Sequence, residues 1–348
     1  MKRIAVIAGD GIGVDVTREA MKVLRRVNDV LGRQLEFVEF DWGAEKYLRE
    51  GVSLPEGALE MLRKEFNAIF MGAMGDPRVP DMRHAADILL GIRFGLDLFA
   101  NVRPVRLLHE KLCPLKKVGL DQLNFTVFRE NTEGAYVSVG GVFKKGTADE
   151  IAVQEEIHTR KGVQRIIEYA FEFARKQGLT KVCMSDKSNV MQYSGGLWQR
   201  VFQDVSSRYP QMKTWHLYVD ALTLQMVRKP HEFQVIVTNN MFGDIVTDLG
   251  AALQGGLGMA ASGNVNPNVT SMFEPVHGSA PAYAGKNTAN PMGAILTAAM
   301  MIDYLGFADA AKSVENAVIK CVNEDKMTRD IGGSLGTREV GDAVAAAL

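Results

Sequence analysis

Two aspartates, Asp244 and Asp248, lie four residues apart in a stretch that reads as a helix. Side chains four apart share one face of a helix, with their β-carbons about 5–6 Å apart. Two carboxylates at that separation suit a hard divalent cation. An ordinary pair of helix-surface aspartates has the same spacing, so only a wider set of residues can decide between the two interpretations.

The residues around the two aspartates predict where they sit in the fold. Residues 233–238 read as a buried strand, and residues 239–243 read as a turn that leads into a helix. In open α/β sheets, ligands bind beyond the carboxyl ends of the strands. The pair is therefore predicted at a strand-to-helix junction, where a ligand site is expected.

Three arginines, a lysine and a tyrosine widen the set. Arg93, Arg103 and Arg129 each lie among apolar residues near the predicted end of a helix or strand. A guanidinium binds a carboxylate through two parallel hydrogen bonds, so three converging arginines would suit a di- or tricarboxylic substrate. Lys187 and Tyr136 are side chains of types that transfer protons. Taken singly, each of the five is more often a surface, salt-bridge or structural residue.

Composition sets the class of protein. The length of 348 residues suggests about two domains, and 40 lysines and arginines nearly balance 41 aspartates and glutamates. This balance gives no sign of nucleic acid or an anionic membrane as a partner. We find no secretory signal and no apolar run of the ~18 residues that a membrane span needs. The three widely spaced cysteines fit reduced thiols, so we expect a cytoplasmic protein.

Strand-like and amphipathic helical runs alternate along the chain, which predicts an α/β fold with a largely parallel, helix-covered sheet. The predicted strands are 4–8, 35–41, 68–72, 124–128 and 181–185, and the predicted helices are 14–31, 56–65, 85–98 and 160–177. Residues 152–157 are compatible with a β-arm or a loop. After Gly255 the pattern is helical, over residues 293–304 and 308–322.

A glycine-rich turn, residues 9–13, follows the first predicted strand. The G-x-G-x-x-G pattern of dinucleotide-binding turns would need glycine at a position that Val14 occupies. Glu39 and Asp41 come late for the ribose partner that this pattern places ~20 residues on. We therefore predict a tight turn that borders an active-site cleft rather than a Rossmann cofactor site.

Taken together and in order, these motifs resemble the metal-dependent β-decarboxylating dehydrogenases, which include the isopropylmalate, isocitrate, homoisocitrate and tartrate/D-malate dehydrogenases. The resemblance spans essentially the whole chain. Its carriers are residues 9–13, 101–104, 129–134 and 186–189, Asp220, residues 240–248 and the loop 274–291.

The resemblance implies an α/β fold of the isopropylmalate dehydrogenase type, with two domains and a mixed, helix-covered sheet that is not a Rossmann fold. A cofactor-side domain is expected over residues 1–100 and 251–348. A dimerisation and metal-side domain is expected over residues 101–250, with an arm at 137–159 in the interface of a homodimer.

The resemblance also implies roles for single residues. Asp244 and Asp248 of one subunit would hold Mg²⁺ or Mn²⁺ together with Asp220 of the other subunit. Lys187 and Asp220 would remove the proton of the substrate's C2 hydroxyl, and Tyr136 would protonate the enol carbon after CO₂ has left. The substrate's carboxylates would bind Arg93, Arg103 and Arg129. The cofactor would bind His277, Gly278, Ser279, Ala280, Ala282, Tyr283, Asn290 and Asp330.

The residues before Arg93 set the expected substrate. Isocitrate enzymes place serine and asparagine there for a third carboxylate, and homoisocitrate enzymes carry arginine about where Leu90 stands. Leu89 and Leu90 instead favour an apolar isopropyl group, so we expect 3-isopropylmalate as the substrate and leucine biosynthesis as the pathway. Tartrate/D-malate dehydrogenases share the leucine pair and remain an alternative, in which Arg83 and His84 could contact a polar substituent. A non-catalytic regulatory subunit is the alternative of a different class, although such subunits lose metal ligands or the Tyr/Lys pair and this chain keeps them.

Position 282 bears on the cofactor. NAD-using members usually have an acidic residue there, whereas NADP-using members tend to have lysine followed by tyrosine. The pair Ala282-Tyr283 matches neither pattern. Because no positive charge is added for a 2′-phosphate, we expect NAD, with NADP as the alternative.

Overall fold

The computed structural model describes residues 1–32, 34–116 and 118–348. This part of the chain divides into two compact units. The first unit comprises Met1–Leu98, Arg103–Leu123 and Ala251–Leu348, and the second comprises Phe99–Val102 and Asn124–Gly250. These bounds differ from the predicted ones at two places. Arg103–Leu123, predicted in the second domain, lies in the first unit, and residues 99–100, predicted in the first domain, lie in the second unit.

The two units contain strands and helices in alternation. The strands are β1 (Lys2–Ile7), β2 (Leu35–Phe40), β3 (Ala68–Met71), β4 (Ala100–Arg106), β5 (Asn124–Glu130), β6 (Gly140–Phe143), β7 (Ile151–Gln154), β8 (Lys181–Asp186), β9 (Lys213–Tyr218), β10 (Val235–Thr238), β11 (Ala261–Val265) and β12 (Ser271–Pro275). The helices are α1 (Ile12–Leu31), α2 (Ala44–Glu50), α3 (Ala58–Glu65), α4 (Arg83–Ala85), α5 (Gly91–Gly95), α6 (Arg160–Lys176), α7 (Gln192–Ser206), α8 (Val219–Arg228), α9 (Asn240–Leu253), α10 (Met292–Tyr304), α11 (Ala308–Asn323) and α12 (Thr337–Ala347).

The first unit is built on a mixed sheet. Strand β1 lies between β2 and β3 and is parallel to both, and β12 is parallel to β3. Strand β11 pairs with β12 in the antiparallel direction, which confirms the predicted mixed sheet. All four residues of β3 are buried, and Leu62 and Phe66 pack in one core with Ile69 and Met71. Strands covered on both faces read as continuous apolar runs, which explains why β1 and β3 were predictable.

The turn after β1 touches the loop that precedes α10. The backbone N–H of Ile12 donates to the carbonyl of Ser279 at 2.8 Å. Gly11 has a φ of 58°, and a β-carbon on it would lie 2.1 Å from the same carbonyl oxygen. Only glycine allows this close approach without strain. Gly11 therefore lets the turn after β1 pack against the 274–291 loop, whereas Gly9 and Gly13 lie against the backbone of Ala73.

The second unit is built on parallel strands. Strand β10 lies between β5 and β8, and β9 pairs with β8, all in parallel. The register sets Thr238 opposite both Arg129 and Ser185, and sets Asp186 opposite Tyr218. The carboxyl ends of the four strands are thus nearly level, which brings the segments that follow them to one edge of the sheet.

A two-stranded arm leaves the second unit. Strands β6 and β7 pair in the antiparallel direction, and every residue of both strands is exposed. The segment at 152–157 is therefore a β-arm, although its strand runs from Ile151 to Gln154. Phe143 and Ile151, paired across the arm, expose 60% and 54% of their surface.

The helix predicted over residues 85–98 is three consecutive segments, α4, a π-helical stretch (Ala86–Leu90) and α5. Its buried residues His84, Ile88, Ile92 and Leu96 recur every fourth position. In a regular α-helix a spacing of four drifts by about 40° at each step. The π-helical stretch takes more residues per turn, so it keeps these side chains on one face.

The prediction that the chain is helical after Gly255 is wrong over β11 and β12, which precede α10 and α11. These buried strands contain Gly263, Asn264 and Pro275, which are poor strand formers. Their pairing with each other and with β3 decides their conformation. Among the described residues, no helix has the length and apolar character to cross a membrane.

Candidate active site

The aspartate pair lies on α9, directly after β10. The Asn239 side chain accepts a hydrogen bond from the Phe242 backbone N–H at 2.9 Å, and the helix begins at Asn240. The predicted turn over 239–243 is therefore wrong beyond its first residue, and Asp244 begins the second helical turn. Asp244 is half-buried and Asp248 is exposed. Both offer the carboxylate oxygens that Mg²⁺ and Mn²⁺ prefer.

Arg129, near the end of β5, lies against the start of α9. Its Nε donates to the Asn240 side-chain oxygen at 2.9 Å, and its Nη1 forms an ion pair with Asp244 Oδ1. The Arg129 side chain is only 3% exposed. A β-carbon at position 243 would lie 2.5 Å from Arg129 Cγ, so Gly243 makes the room that this side chain occupies.

Tyr136 completes this cluster from the short 3₁₀ turn at Ala135–Val137. Its hydroxyl donates to Asp244 Oδ2 at 2.9 Å, and the Arg129 guanidinium lies 5.1 Å from the centre of its ring. The structure thus brings a predicted carboxylate-binding arginine, a predicted proton donor and a predicted metal ligand into direct contact. Arg129 and Tyr136 thus contact different oxygens of one carboxylate.

Lys187 and Asp220 form a second cluster. Lys187 Nζ lies 2.6 Å from Asp220 Oδ1, and the hydrogen bond from Lys187 holds the pKa of this carboxyl below its usual value. Lys187 Nζ also lies 5.8 Å from the centre of the Tyr218 ring. Among the described residues, no group of three acidic, histidine or cysteine side chains is arranged to hold a metal ion.

Two of the three predicted arginines belong to the first unit. Arg93, on α5, is 6% exposed, and its Nη2 lies 3.6 Å from Glu274 Oε1. Arg103, on β4, is also buried. Glu274 additionally accepts a hydrogen bond from the Asn264 side chain at 2.7 Å. The Glu274 contact was not predicted, because these residues are far apart in sequence.

The two predicted specificity leucines have different surroundings. Leu89 packs against the core that contains Ile69 and Met71. Leu90 lines a cavity of about 650 Å³ together with Leu54 and Phe94. His84 does not face a substrate, since it is fully buried with its Nε2 2.9 Å from Asp10 Oδ2. Arg83 lines the same cavity as Leu90.

The eight positions predicted for the cofactor all lie in the first unit. The Asn290 side-chain amide donates to Asp330 at 3.1 Å, so the structure brings these two together. Ala282 and Tyr283 are exposed. His277 is buried, which lowers the pKa of its ring, and its Nε2 has no hydrogen-bond partner among the described residues. A buried nitrogen without a protein partner fits a site for a polar ligand such as a nucleotide.

Asn240 is the organising residue that the sequence reasoning missed. It accepts from Arg129 and donates to the carbonyl of Glu133 at 3.0 Å, so it joins α9 to the segment that carries Tyr136. It was interpreted as a turn residue and as part of the 240–248 motif, with no role of its own. Its position directly after the end of a buried parallel strand was the available signal.

Residues 3–344 match the protein family described as isocitrate/isopropylmalate dehydrogenase. The chain belongs to this family. Its relatives include the 3-isopropylmalate dehydrogenase of Thermobifida fusca, 44% identical over 345 residues, which covers 99% of this chain and 96% of the relative. The 3-isopropylmalate dehydrogenase of Corynebacterium efficiens is 45% identical over 351 residues and 99% of each chain.

Solved structures of similar proteins have the same fold. The isocitrate dehydrogenase of Methylococcus capsulatus superposes with a TM-score of 0.89 at 32% identity, covering 100% of this chain and 99% of the other. The TT0538 protein of Thermus thermophilus gives a TM-score of 0.87 at 34% identity, covering 99% of this chain and 68% of the other. The predicted fold type is confirmed, and the protein is a decarboxylating dehydrogenase.

Gly243→Ala should displace Arg129 without weakening α9. Alanine favours a helix interior by ~1 kcal/mol over glycine, so any loss of function reports the clash with Arg129. We expect the KM for the hydroxy-acid substrate to rise by at least about tenfold, because a charge-assisted contact contributes ~1.5–3 kcal/mol. Steady-state kinetics measures this.

Gly196→Ala is the matched control. It also lies inside a helix, and its added β-carbon would meet only the end of the flexible Arg200 side chain, at 3.3 Å. Its kinetics should match those of the unmodified enzyme. An unchanged KM in Gly243→Ala would show that the position of Arg129 does not matter for substrate binding.

Proposed function

We propose that the protein oxidises and decarboxylates 3-isopropylmalate to 2-oxoisocaproate, with NAD and Mg²⁺ or Mn²⁺, in cytoplasmic leucine biosynthesis. The observation that carries the choice of substrate is Leu90, which with Leu54 and Phe94 gives one apolar side to a cavity of about 650 Å³ that Arg83 and Asp87 also line. Burial of an isopropyl group there would gain ~25 cal/mol per Å². The relatives named 3-isopropylmalate dehydrogenase support the same substrate.

Each cluster has a distinct task in this reaction. Arg93, Arg103 and Arg129 bind the two carboxylates and fix the C2 hydroxyl. Lys187 passes a proton to the paired Asp220 and then takes the hydroxyl proton, and Tyr136 returns a proton to C3 after CO₂ has left. When bound, the divalent cation supplies Lewis-acid stabilisation of developing negative charge, and nicotinamide supplies the hydride acceptor.

The metal would bind Asp244 and Asp248 with Asp220 from a second subunit. The donor set fits, since all three supply carboxylate oxygens. A homodimer is supported by apolar side chains that the second unit exposes. They are Phe143 and Ile151 on the arm, Val190 and Tyr193 before and within α7, Leu224 on α8 and Ile245 on α9, each at least half exposed. Large exposed apolar surfaces mark protein interfaces.

NAD is proposed as the cofactor because the exposed Ala282 adds no cation for a 2′-phosphate. His277, with its unpartnered buried Nε2, and the Asn290–Asp330 pair would contact the nucleotide. The loop that carries His277 and Ser279 meets the turn after β1, so both would line one cofactor site.

A substrate panel tests the proposal. Among 3-isopropylmalate, D-malate, tartrate, isocitrate and homoisocitrate, kcat/KM should be highest for 3-isopropylmalate. Leu90→Glu should lower kcat/KM for 3-isopropylmalate by roughly 10- to 100-fold, because it places a charge where an alkyl group would be buried. The loss for D-malate, which has no such group, should be much smaller.

Leu90→Met is the control for the panel, since it keeps an apolar side chain of similar volume and should keep the preference. Equal losses for both substrates in Leu90→Glu would remove Leu90 from the specificity pocket. A wild-type preference for D-malate or tartrate would replace the proposed substrate.

Asp244→Asn tests the metal site. The change removes one anionic ligand and the charge opposite Arg129, so turnover should fall by at least about 100-fold and half-saturation should need far more Mn²⁺. Rates measured against Mn²⁺ concentration, with Mn²⁺ binding followed by electron paramagnetic resonance, give both quantities. Asp121→Asn, on an exposed turn of the first unit, should change neither. Normal activity of Asp244→Asn at low Mn²⁺ would contradict the assignment.

Mixing two inactive variants tests whether sites are shared between subunits. Suppose that each active site combines Asp244 of one subunit with Lys187 of the other. A heterodimer of an Asp244→Asn subunit and a Lys187→Met subunit would then have one site with both substitutions and one site with neither. Random mixing by co-refolding should then restore about a quarter of the wild-type activity per subunit. Recovery near zero, with heterodimers verified by mass spectrometry, would mean that each site is built within one chain.

A further inference from the structure

The residue before Lys187 is held by three hydrogen bonds. Asp186, the last residue of β8, is 3% exposed. Its carboxylate accepts from the Ser188 backbone N–H at 2.9 Å, from Gln199 Nε2 at 3.0 Å and from His216 Nε2 at 2.8 Å. Burial opposes the ionised form, but the bonds from His216 and Ser188 outweigh it and hold the pKa of Asp186 below its usual value. Residues 187–191, which connect β8 to α7, are called the Lys187 loop. This loop therefore begins directly after a residue whose carboxylate is buried and fixed.

Of the three donors to Asp186, His216 is the most distant in sequence. It lies on β9 opposite Met184, and the two strands pair in parallel. Since a carboxylate only accepts, the His216 Nε2 atom must carry the proton that it donates to Asp186. Ser188 follows Lys187 and Gln199 lies on α7, so of these three donors His216 is the one that ties the Asp186 side chain to the next strand.

The carboxyl end of β9 lies near Lys187 and near Asp220, the partner of Lys187. Tyr218 is two residues after His216, so both side chains lie on the same face of the strand, with ring centres 5.0 Å apart. Lys187 Nζ lies 5.8 Å from the Tyr218 ring. Asp220 follows two residues later, at the start of α8. Strand β9 thus fixes Asp186 through His216 and carries Asp220 to the ammonium group of Lys187.

We propose that His216 is a positioning residue for proton transfer, which acts through Asp186 to hold the Lys187 loop in register with Asp220. The proposal rests on the proposed role of Lys187. A lysine side chain is long and flexible, so a fixed backbone before it and a fixed carboxylate after it determine where its nitrogen lies. In this role His216 would act through Asp186 rather than on the reacting atoms. Its loss would act on turnover more than on substrate binding.

Kinetics of His216→Leu and His216→Gln test the inference, with the hydroxy acid that the wild-type enzyme oxidises fastest. His216→Leu removes the donor, so kcat should fall by roughly 10- to 100-fold, as losses of comparable supporting contacts do, while KM stays within about twofold. The glutamine side chain can place an N–H near the position of Nε2, so His216→Gln should recover most of kcat. His231→Leu, at an exposed histidine, should resemble the wild type.

A double-mutant cycle with Lys187→Met separates positioning from general stability. If His216 acts through Lys187, adding His216→Leu to Lys187→Met should lower kcat little further, because the group it positions is already absent. Asp186→Asn keeps the size of the side chain and should show the same non-additivity, which provides a second variant should His216→Leu not fold.

Additive losses in kcat, or failure of His216→Gln to recover activity when it folds, would overturn the positioning role. A Lys187→Met variant that keeps full activity would overturn it as well. If the wild-type enzyme oxidised no hydroxy acid, the proposed function would fall together with this inference. Additive losses of kcat in an enzyme that does oxidise a hydroxy acid would refute this inference and leave the proposed function standing.

Discussion

The carboxyl ends of β5, β10, β8 and β9 stop at nearly the same level, because the parallel register sets Thr238 opposite Arg129 and Ser185. Arg129, Lys187 and Asp220 lie within two positions of one of these ends, and Tyr136 and Asp244 follow one by six. Arg129 is the second-last residue of one strand, and Lys187 comes directly after another. A slip of one residue would turn each of these side chains to the opposite face of the sheet. The register of the four strands therefore determines the positions of the side chains in the Arg129 cluster and in the Lys187 cluster.

The buried charge of Arg129 links the stability of this unit to its chemistry. The guanidinium contacts a carboxylate, Asp244, and an amide, Asn240, at the start of α9. Arg129 is buried but Asp244 is 41% exposed, so water screens this pair, and removing one partner costs less than the ~3–5 kcal/mol that is typical of a fully buried pair. The residues that would recognise substrate and metal are thus also the residues that fasten α9 to β5. Substitutions at these positions would affect folding and function together.

The sequence predicted what depends on local pattern. Alternating apolar strands and amphipathic helices indicated the α/β class, and the buried runs of β1, β3 and β10 were found within a few residues. The types of Arg129, Tyr136 and Asp244 were recognised, and the structure brings them into contact. What the sequence did not show depends on contacts between distant residues. Strands β11 and β12 are strands because they pair with each other, despite a composition rich in poor strand formers.

The same reason explains the missed positioning contacts. The local signal for Asn240 is its position just after a buried strand, which does not identify its partners, and nothing local distinguishes Glu274 from an ordinary surface carboxylate. Leu89 and Leu90 are adjacent in sequence and chemically identical, yet one packs against the core and the other lines a cavity. His84, which could contact a polar substituent in the tartrate/D-malate alternative, is buried beside Asp10.

The π-helical stretch at Ala86–Leu90 has a consequence for how the length of this segment can change. It accommodates the spacing that keeps His84, Ile88, Ile92 and Leu96 on one buried face. Losing one residue here would turn the π-helical stretch into a regular α-helix, in which spacings of four, three and four still keep these side chains on one face. Arg93 would then stay beside Glu274. The π-helical stretch is therefore the part of this helix where the chain could shorten by one residue without displacing its arginine.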